Sequence, residues 1–231
     1  MPPELAGGAA PGTTLLARYG LPPAEIERLS LARVEEAAGP TLPRDPGLRH
    51  VARRLLYAAG DPALARSIRL HPALVQASIA ALRAGAPVLV DVSMVAAGLR
   101  RVALRQWGCT VIVAVEEPDA ARAARAAGIT RSAMGIRLLA PRLAGGVVAI
   151  GNAPTALLEL LDLIDAGCPA PAAIIGMPVG LVAAAESKDE LVLQATPYAT
   201  VLGTRGGSAL AAAAVNALLE LAADQERNGS G

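Results

Sequence analysis

The sequence predicts a single α/β domain with three layers, a mostly parallel sheet covered by helices on both faces. Three observations predict it. Apolar runs of strand length recur along the chain, helical patterns separate them, and 53% of the 231 residues are hydrophobic against 18% charged. Alternation of strand and helix means parallel pairing with crossover helices. A chain of this length holds one full-sized core rather than two.

Residues 1–22 are rich in Gly, Pro and Ala and read as a loosely docked, flexible segment. Pro23 then opens a helix whose apolar residues recur near a period of 3.6, since proline suits the first helical position. A second helix is expected over 46–59, closed by Gly60 as a left-handed stop. Asp61-Pro62 reads as a cap and restart, and 72–83 as a further helix ending at Ala84-Gly85. Buried parallel strands are expected over 87–91, 110–115, 146–150, 172–176 and 199–203. Helices are expected near 118–128, 131–139 and 154–166 between them. After the last strand a Gly-Gly-Ser turn leads into an Ala/Leu-rich helix ending near Ala223, with 224–231 expected as a disordered tail. The organisation is thus 1–22, a domain over 23–223, and the tail.

The composition also excludes function classes. Net charge is +1, which gives nucleic acid or an anionic membrane no electrostatic foothold. Aromatic residues make up 2% and phenylalanine is absent, so a base-stacking platform is not expected. No basic segment followed by an apolar run opens the chain, and the apolar stretch 145–164 is broken by Asn152, Pro154 and Glu159. A cytoplasmic protein without a membrane span is the expectation. Two cysteines and two histidines at unrelated spacings point to neither a disulfide nor a metal site.

In open parallel sheets a ligand sits beyond the carboxyl ends of the strands. The segments there are Asp91-Val-Ser-Met94, Glu116-Glu-Pro-Asp119, Gly151-Asn-Ala-Pro-Thr155, Gly176-Met-Pro-Val-Gly180 and Arg205-Gly-Gly-Ser208. Glycine permits close backbone approach, and a helix start presents free N–H groups, with Thr155 and Ser208 as candidate caps. The same glycines also serve as tight-turn devices. Neither a GxGxxG fingerprint nor a phosphate-loop lysine occurs. Arg131, Lys188 and Arg205 beside these exits would suit a small molecule carrying several carboxylates.

The strings Val147-Val-Ala-Ile-Gly-Asn-Ala-Pro-Thr-Ala-Leu157, Ile175-Gly-Met-Pro-Val-Gly180, Ala184-Ala-Glu-Ser-Lys188 and Arg205-Gly-Gly-Ser208 resemble motifs of the precorrin-8X and cobalt-precorrin-8 methylmutases. So do Gly85-Ala-Pro, Asp91 with Met94-Val, Thr130-Arg-Ser-Ala133, and Glu25-Ile-Glu27 with Ser30. The likeness runs in unbroken order from about Pro23 to Leu219. It implies a flavodoxin-like domain that forms a homodimer and binds a tetrapyrrole near the subunit interface. It also implies an isomerase without a cofactor, moving a methyl group from ring carbon 11 to ring carbon 12 of a corrin precursor to give hydrogenobyrinate or cobyrinate. The substrate-binding residues implied are Ser30, Asp91, Arg131, Ser132, Gly151, Asn152, Thr155, Gly176, Gly180, Lys188, Arg205, Gly206, Gly207 and Ser208.

One departure stands out. Where the family has a proposed catalytic histidine on its second helix, this sequence has Tyr57, in Leu55-Leu-Tyr-Ala-Ala-Gly60. Imidazole titrates near 6.5 and phenol near 10, so a tyrosine can donate a hydrogen bond but is a weaker acid at neutrality. Tyr57 also fits as a core aromatic with a polar tip. His50, two turns earlier on the same helical face, would replace it only if the ligand shifted, and His71 reads as a capping or surface residue. Two readings follow: a methylmutase using Tyr57, and a corrinoid carrier or sensor without turnover. Both bind tetrapyrrole; only the first converts it.

Overall fold

The computed structural model describes residues 14–229. Most of the segment expected to be flexible and the end of the expected tail, 1–13 and 230–231, lie outside the described residues. The chain enters through α1 (Leu15–Tyr19) and α2 (Pro23–Ala38), then α3 (Pro46–Ala59). The start of α3 follows from its sequence. The Asp45 carboxylate accepts from the Leu48 N–H at 2.8 Å, and Pro46 needs no donor in the first turn. Gly60 stops it in the left-handed conformation at φ 61°, and Val51, Ala52, Leu55 and Leu56 form its buried stripe.

The sheet has six strands: β1 (Ile68–Leu70), β2 (Val88–Val90), β3 (Val111–Val113), β4 (Val147–Ile150), β5 (Ala173–Gly176) and β6 (Tyr198–Val201). Their spatial order is β1-β6-β5-β4-β2-β3. The five parallel strands follow the doubly wound 2-1-3-4-5 pattern when counted from β2, so the chain reverses direction between β2 and β4. β1 is an added edge, antiparallel to β6.

Successive strand residues face opposite sides, and each side has its own helices. Val88, Val90, Ala149 and Ile175 pack beneath α3, α4 (Leu74–Arg83), α5 (Ser93–Gly98) and α11 (Ser208–Gly229). Leu89, Val148, Ile150 and Ile174 pack beneath α8 (Arg131–Leu138), α9 (Pro154–Asp165) and the end of α10 (Ala184–Leu191). Burial on both faces is why these strands read as continuous apolar runs rather than alternating ones.

Four expectations need correction. The restart after Asp61 is a 3₁₀ turn over Pro62–Ser67, followed by strand β1 rather than a helix. Its residues Ile-Arg-Leu are too few to show a strand period. Short helices α5 and α6 (Arg101–Gln106) occupy the β2–β3 crossover, and α10 occupies the segment around Lys188; none was expected. The last helix continues to Gly229, past the expected stop at Ala223. Between α6 and α8 lies α7 (Ala120–Ala127), close to its expected bounds.

Candidate active site

The reversal between β2 and β4 opens the crevice at which doubly wound sheets bind ligands. Asp91, the residue after β2, is fully buried there. Its Oδ1 accepts from Gly151 N–H at 2.9 Å, and its Oδ2 from Asn152 and Ala153 N–H at 2.8 and 2.9 Å. Asp91 was expected to touch substrate. It instead braces the β4 exit, because a buried carboxylate must collect donors and the turn supplies three. Those amides were expected to meet the ligand and are already spent on Asp91. The turn offers outward the exposed Asn152 side chain. Gly151 is required by packing: a Cβ would lie 2.5 Å from Val95 Cγ2 and 2.7 Å from Ser208 Cα, which brings α5 and the start of α11 onto this exit.

The β5 and β6 exits form one unit. Gly207 N–H donates to the Met177 carbonyl at 2.7 Å, and Gly180 N–H donates to the Thr204 carbonyl at 3.1 Å. Thr200 Oγ1 donates to the Gly176 carbonyl at 2.5 Å. Gly206 lies flat against the neighbouring turn, where a Cβ would sit 2.4 Å from the Met177 oxygen and 2.5 Å from that of Pro178. Backbone oxygens cannot yield as a flexible side chain can. Gly206→Ala is therefore expected to lower stability by about 1–3 kcal/mol. Differential scanning calorimetry checks this, and an unchanged melting temperature would refute the contact.

Lys188 was expected to hold a substrate carboxylate. It is instead among the largest fully buried side chains, with Nζ donating to the carbonyls of Pro178 at 3.1 Å and Arg205 at 2.7 Å. Burial pulls its ammonium down from the usual lysine range to about 8, opposed by the nearby Asp189 carboxylate. The charge thus costs stability below about pH 8, and the cost is relieved as pH rises toward 10.5. The Arg205 guanidinium points the other way and pairs with Asp61, whose Oδ1 also accepts from Ala63 N–H at 2.9 Å.

On the opposite face Thr130 caps α8 by accepting from Ala133 N–H at 3.2 Å. Its hydroxyl also meets that of Thr155 at 2.7 Å, so Thr155 links two helix starts rather than capping α9, whose cap position is Ala153. This pairing places Arg131, exposed, and Ser132, half-buried, beside the Asn152 exit.

Tyr57 lies at the far end of α3, 38% exposed, with the Arg54 guanidinium 5.6 Å from its ring centre. Its hydroxyl has no hydrogen-bond partner among the described residues. The end of α3 separates two clefts. One, of about 310 Å³, holds Tyr57, Ser30, Arg33 and Gly60. The other, of about 350 Å³, holds Asp61, Val179, Arg205 and Gly206. The single chain thus places Val179, Arg205 and Gly206 of the β5 and β6 exits in one cleft at the end of α3, and Tyr57 with Ser30 in the other. Ser30 donates its hydroxyl back to Ile26 O at 2.6 Å.

His50 is committed elsewhere. Its Nε2 lies 3.0 Å from Glu220 Oε2, and Arg54 and Arg100 reach the other oxygen at 2.7 and 2.9 Å. Burial raises the Glu220 carboxyl, but the His50 hydrogen bond and the charges of Arg54, His50 and Arg100 outweigh it and hold the group below the usual 4.5. A lowered folded value means stability that is present above about pH 4.5 and lost as pH falls through that folded value. The difference in urea stability between the natural chain and Glu220→Gln is therefore expected to shrink between pH 7 and pH 3.5. A constant difference would refute the linkage. His71 acts as a cap, with Nδ1 accepting from Ala73 N–H at 3.1 Å.

The family model described as precorrin-8X methylmutase matches residues 25–221, a span that includes all six strands and both clefts. The chain is 48% identical over 170 residues to a precorrin-8X methylmutase of Sinorhizobium sp, covering 73% of this chain and 80% of the relative. It is 45% identical over 196 residues to that of Pseudomonas aeruginosa, covering 84% and 93%. The cobalt-precorrin-8 methylmutase of Priestia megaterium is 38% identical over 200 residues, covering 87% and 88%. A solved structure of a precorrin-8X methylmutase from Thermus thermophilus superposes with a TM-score of 0.78 at 36% identity, covering 87% of this chain and 98% of the other.

Proposed function

Since this chain belongs to the precorrin-8X methylmutase family, we propose that it is an isomerase of cobalamin biosynthesis that moves a methyl group from ring carbon 11 to ring carbon 12 of precorrin-8X or its cobalt form. The observation that carries this reading is the family match over 25–221, which takes in every strand exit at once. The likeness to several named methylmutases favours turnover over a passive carrier.

A methyl shift along a conjugated ring asks for a substrate held in its reactive tautomer, and for one hydrogen bond or proton as charge moves. No cofactor enters this reading. Arg131 and Arg205 are the cations we assign to the substrate's acetate and propionate groups, Arg131 beside the β4 exit and Arg205 at the β6 exit. Ser132, Asn152 and Ser208 supply neutral polar contacts beside them. Gly206 shapes the wall through its backbone, and Gly180 and Gly207 join the two turns behind it. Tyr57 donates the hydrogen bond to the macrocycle.

Two further features belong to this reading. The protein acts as a cytoplasmic homodimer, in which a second copy would complete the clefts beside Gly60. Leu181 at 91% exposure and Val182 at 83% support an apolar contact at this rim. No described helix is long and apolar enough to cross a membrane.

The test is to mix purified protein with precorrin-8X and follow the visible spectrum. Conversion to the product chromophore is expected. A substrate spectrum that shifts on binding and then stays constant would leave only a tetrapyrrole-binding protein.

A further inference from the structure

One wall of the Arg205 cleft, at Val179, Arg205 and Gly206, comes from two turns that adjoin in space but lie apart in sequence, Met177–Gly180 and Thr204–Gly207. Neither belongs to a helix or strand, so hydrogen bonds between them must set their separation. Two of these run from backbone to backbone, at Gly207 and Gly180. Among the described residues the Lys188 side chain adds a further hydrogen-bonded link, entering from α10 behind both turns and touching one carbonyl of each.

A long apolar residue would fill this space without losing the hydration of an ammonium. It could not hold two carbonyl oxygens of separate turns at a set distance, which an ammonium with three donors can do. The consequence reaches the front of the cleft. Lys188 holds the Arg205 carbonyl at 2.7 Å, while the guanidinium of the same residue reaches Asp61 at the end of α3. Displacing one end of Arg205 displaces the other, and Gly206 follows because its backbone lies against Met177 and Pro178.

We infer that Lys188 is a positioning residue: from behind the cleft it fixes the gap between the two turns, and so the place from which Arg205 and Gly206 meet a bound substrate. The part concerning substrate rests on the methylmutase reading; the tether between the turns does not.

The experiment compares the natural chain with Lys188→Met and Lys188→Arg. Amide hydrogen exchange is read at Gly180 and Gly207, and KM and kcat are measured with precorrin-8X. In Lys188→Met both amides are expected to exchange at least about tenfold faster, as local opening becomes easier. KM is expected to rise by about tenfold with kcat changed by less than about threefold, the pattern of lost uniform binding. Lys188→Arg, which keeps charge and donors but adds bulk at a fully buried position, is expected to fall between the natural chain and Lys188→Met in both KM and exchange rates. If the methionine variant does not fold, Lys188→Gln takes its place. Exchange at the natural rate in the neutral variant overturns the tether. Faster exchange with an unchanged KM overturns the positioning role. A natural chain that leaves precorrin-8X unconverted counts against the methylmutase reading alone, and the exchange rates still decide the tether.

Discussion

Tyr57→His is expected to raise the rate of methyl transfer by about 100- to 10,000-fold, the range a well-placed general acid contributes. That corresponds to about 3–5 kcal/mol of barrier. The affinity for precorrin-8X is expected to stay within about threefold, because both side chains bring one donor to the same rim. The structure permits the exchange. Tyr57 is part-exposed at the edge of a cleft and spends its hydroxyl on no described neighbour, so imidazole replaces it without leaving a buried group unpaired. Single-turnover spectra of the natural chain, Tyr57→His and Tyr57→Phe measure the effect. The phenylalanine variant is expected to be the slowest, having no donor. A histidine variant no faster than the natural chain would sink the role assigned to residue 57.

Asp91→Ala is expected to cost about 3–5 kcal/mol of stability, the loss usual when one partner of a buried charged interaction is removed. The deletion leaves the N–H groups of Gly151, Asn152 and Ala153 facing an apolar gap. For a chain of this size that lowers the melting temperature by about 6–20 °C. Asp91→Asn retains one carbonyl oxygen but turns an amide NH₂ toward N–H donors, so it is expected to lose about half as much. Urea unfolding of the three proteins at pH 7 gives the comparison. Because the β4 exit carries Asn152, both variants should also weaken precorrin-8X binding at temperatures where they remain folded. A melting temperature within about 2 °C of the natural chain in Asp91→Ala would mean that water or a neighbour replaces the carboxylate.

Much of the architecture was legible because burial leaves a local record. The runs 88–90, 147–150 and 173–176 are apolar at every position, the mark of strands covered on both faces. Gly60 and Pro46 mark the ends of α3 through backbone preferences that no distant residue needs to supply. β1 was missed because three residues carry no period and its pairing partner, β6, lies more than a hundred residues later. Thr200 carries a signal in its type, a hydroxyl at the centre of a buried strand, and it holds the Gly176 carbonyl.

What the sequence determined by itself was therefore the layer order, the strand exits and the set of residues crowded there. Tertiary structure alone decided how each of them is used. Asp91 and Gly151 are sixty residues apart, Lys188 and Arg205 seventeen, Arg205 and Asp61 one hundred and forty-four. Whether a carboxylate, an ammonium or an amide remains free for a ligand depends on which donors and acceptors the fold places within 3 Å of it. That is a property of the neighbours, and no residue's own type or spacing contains it.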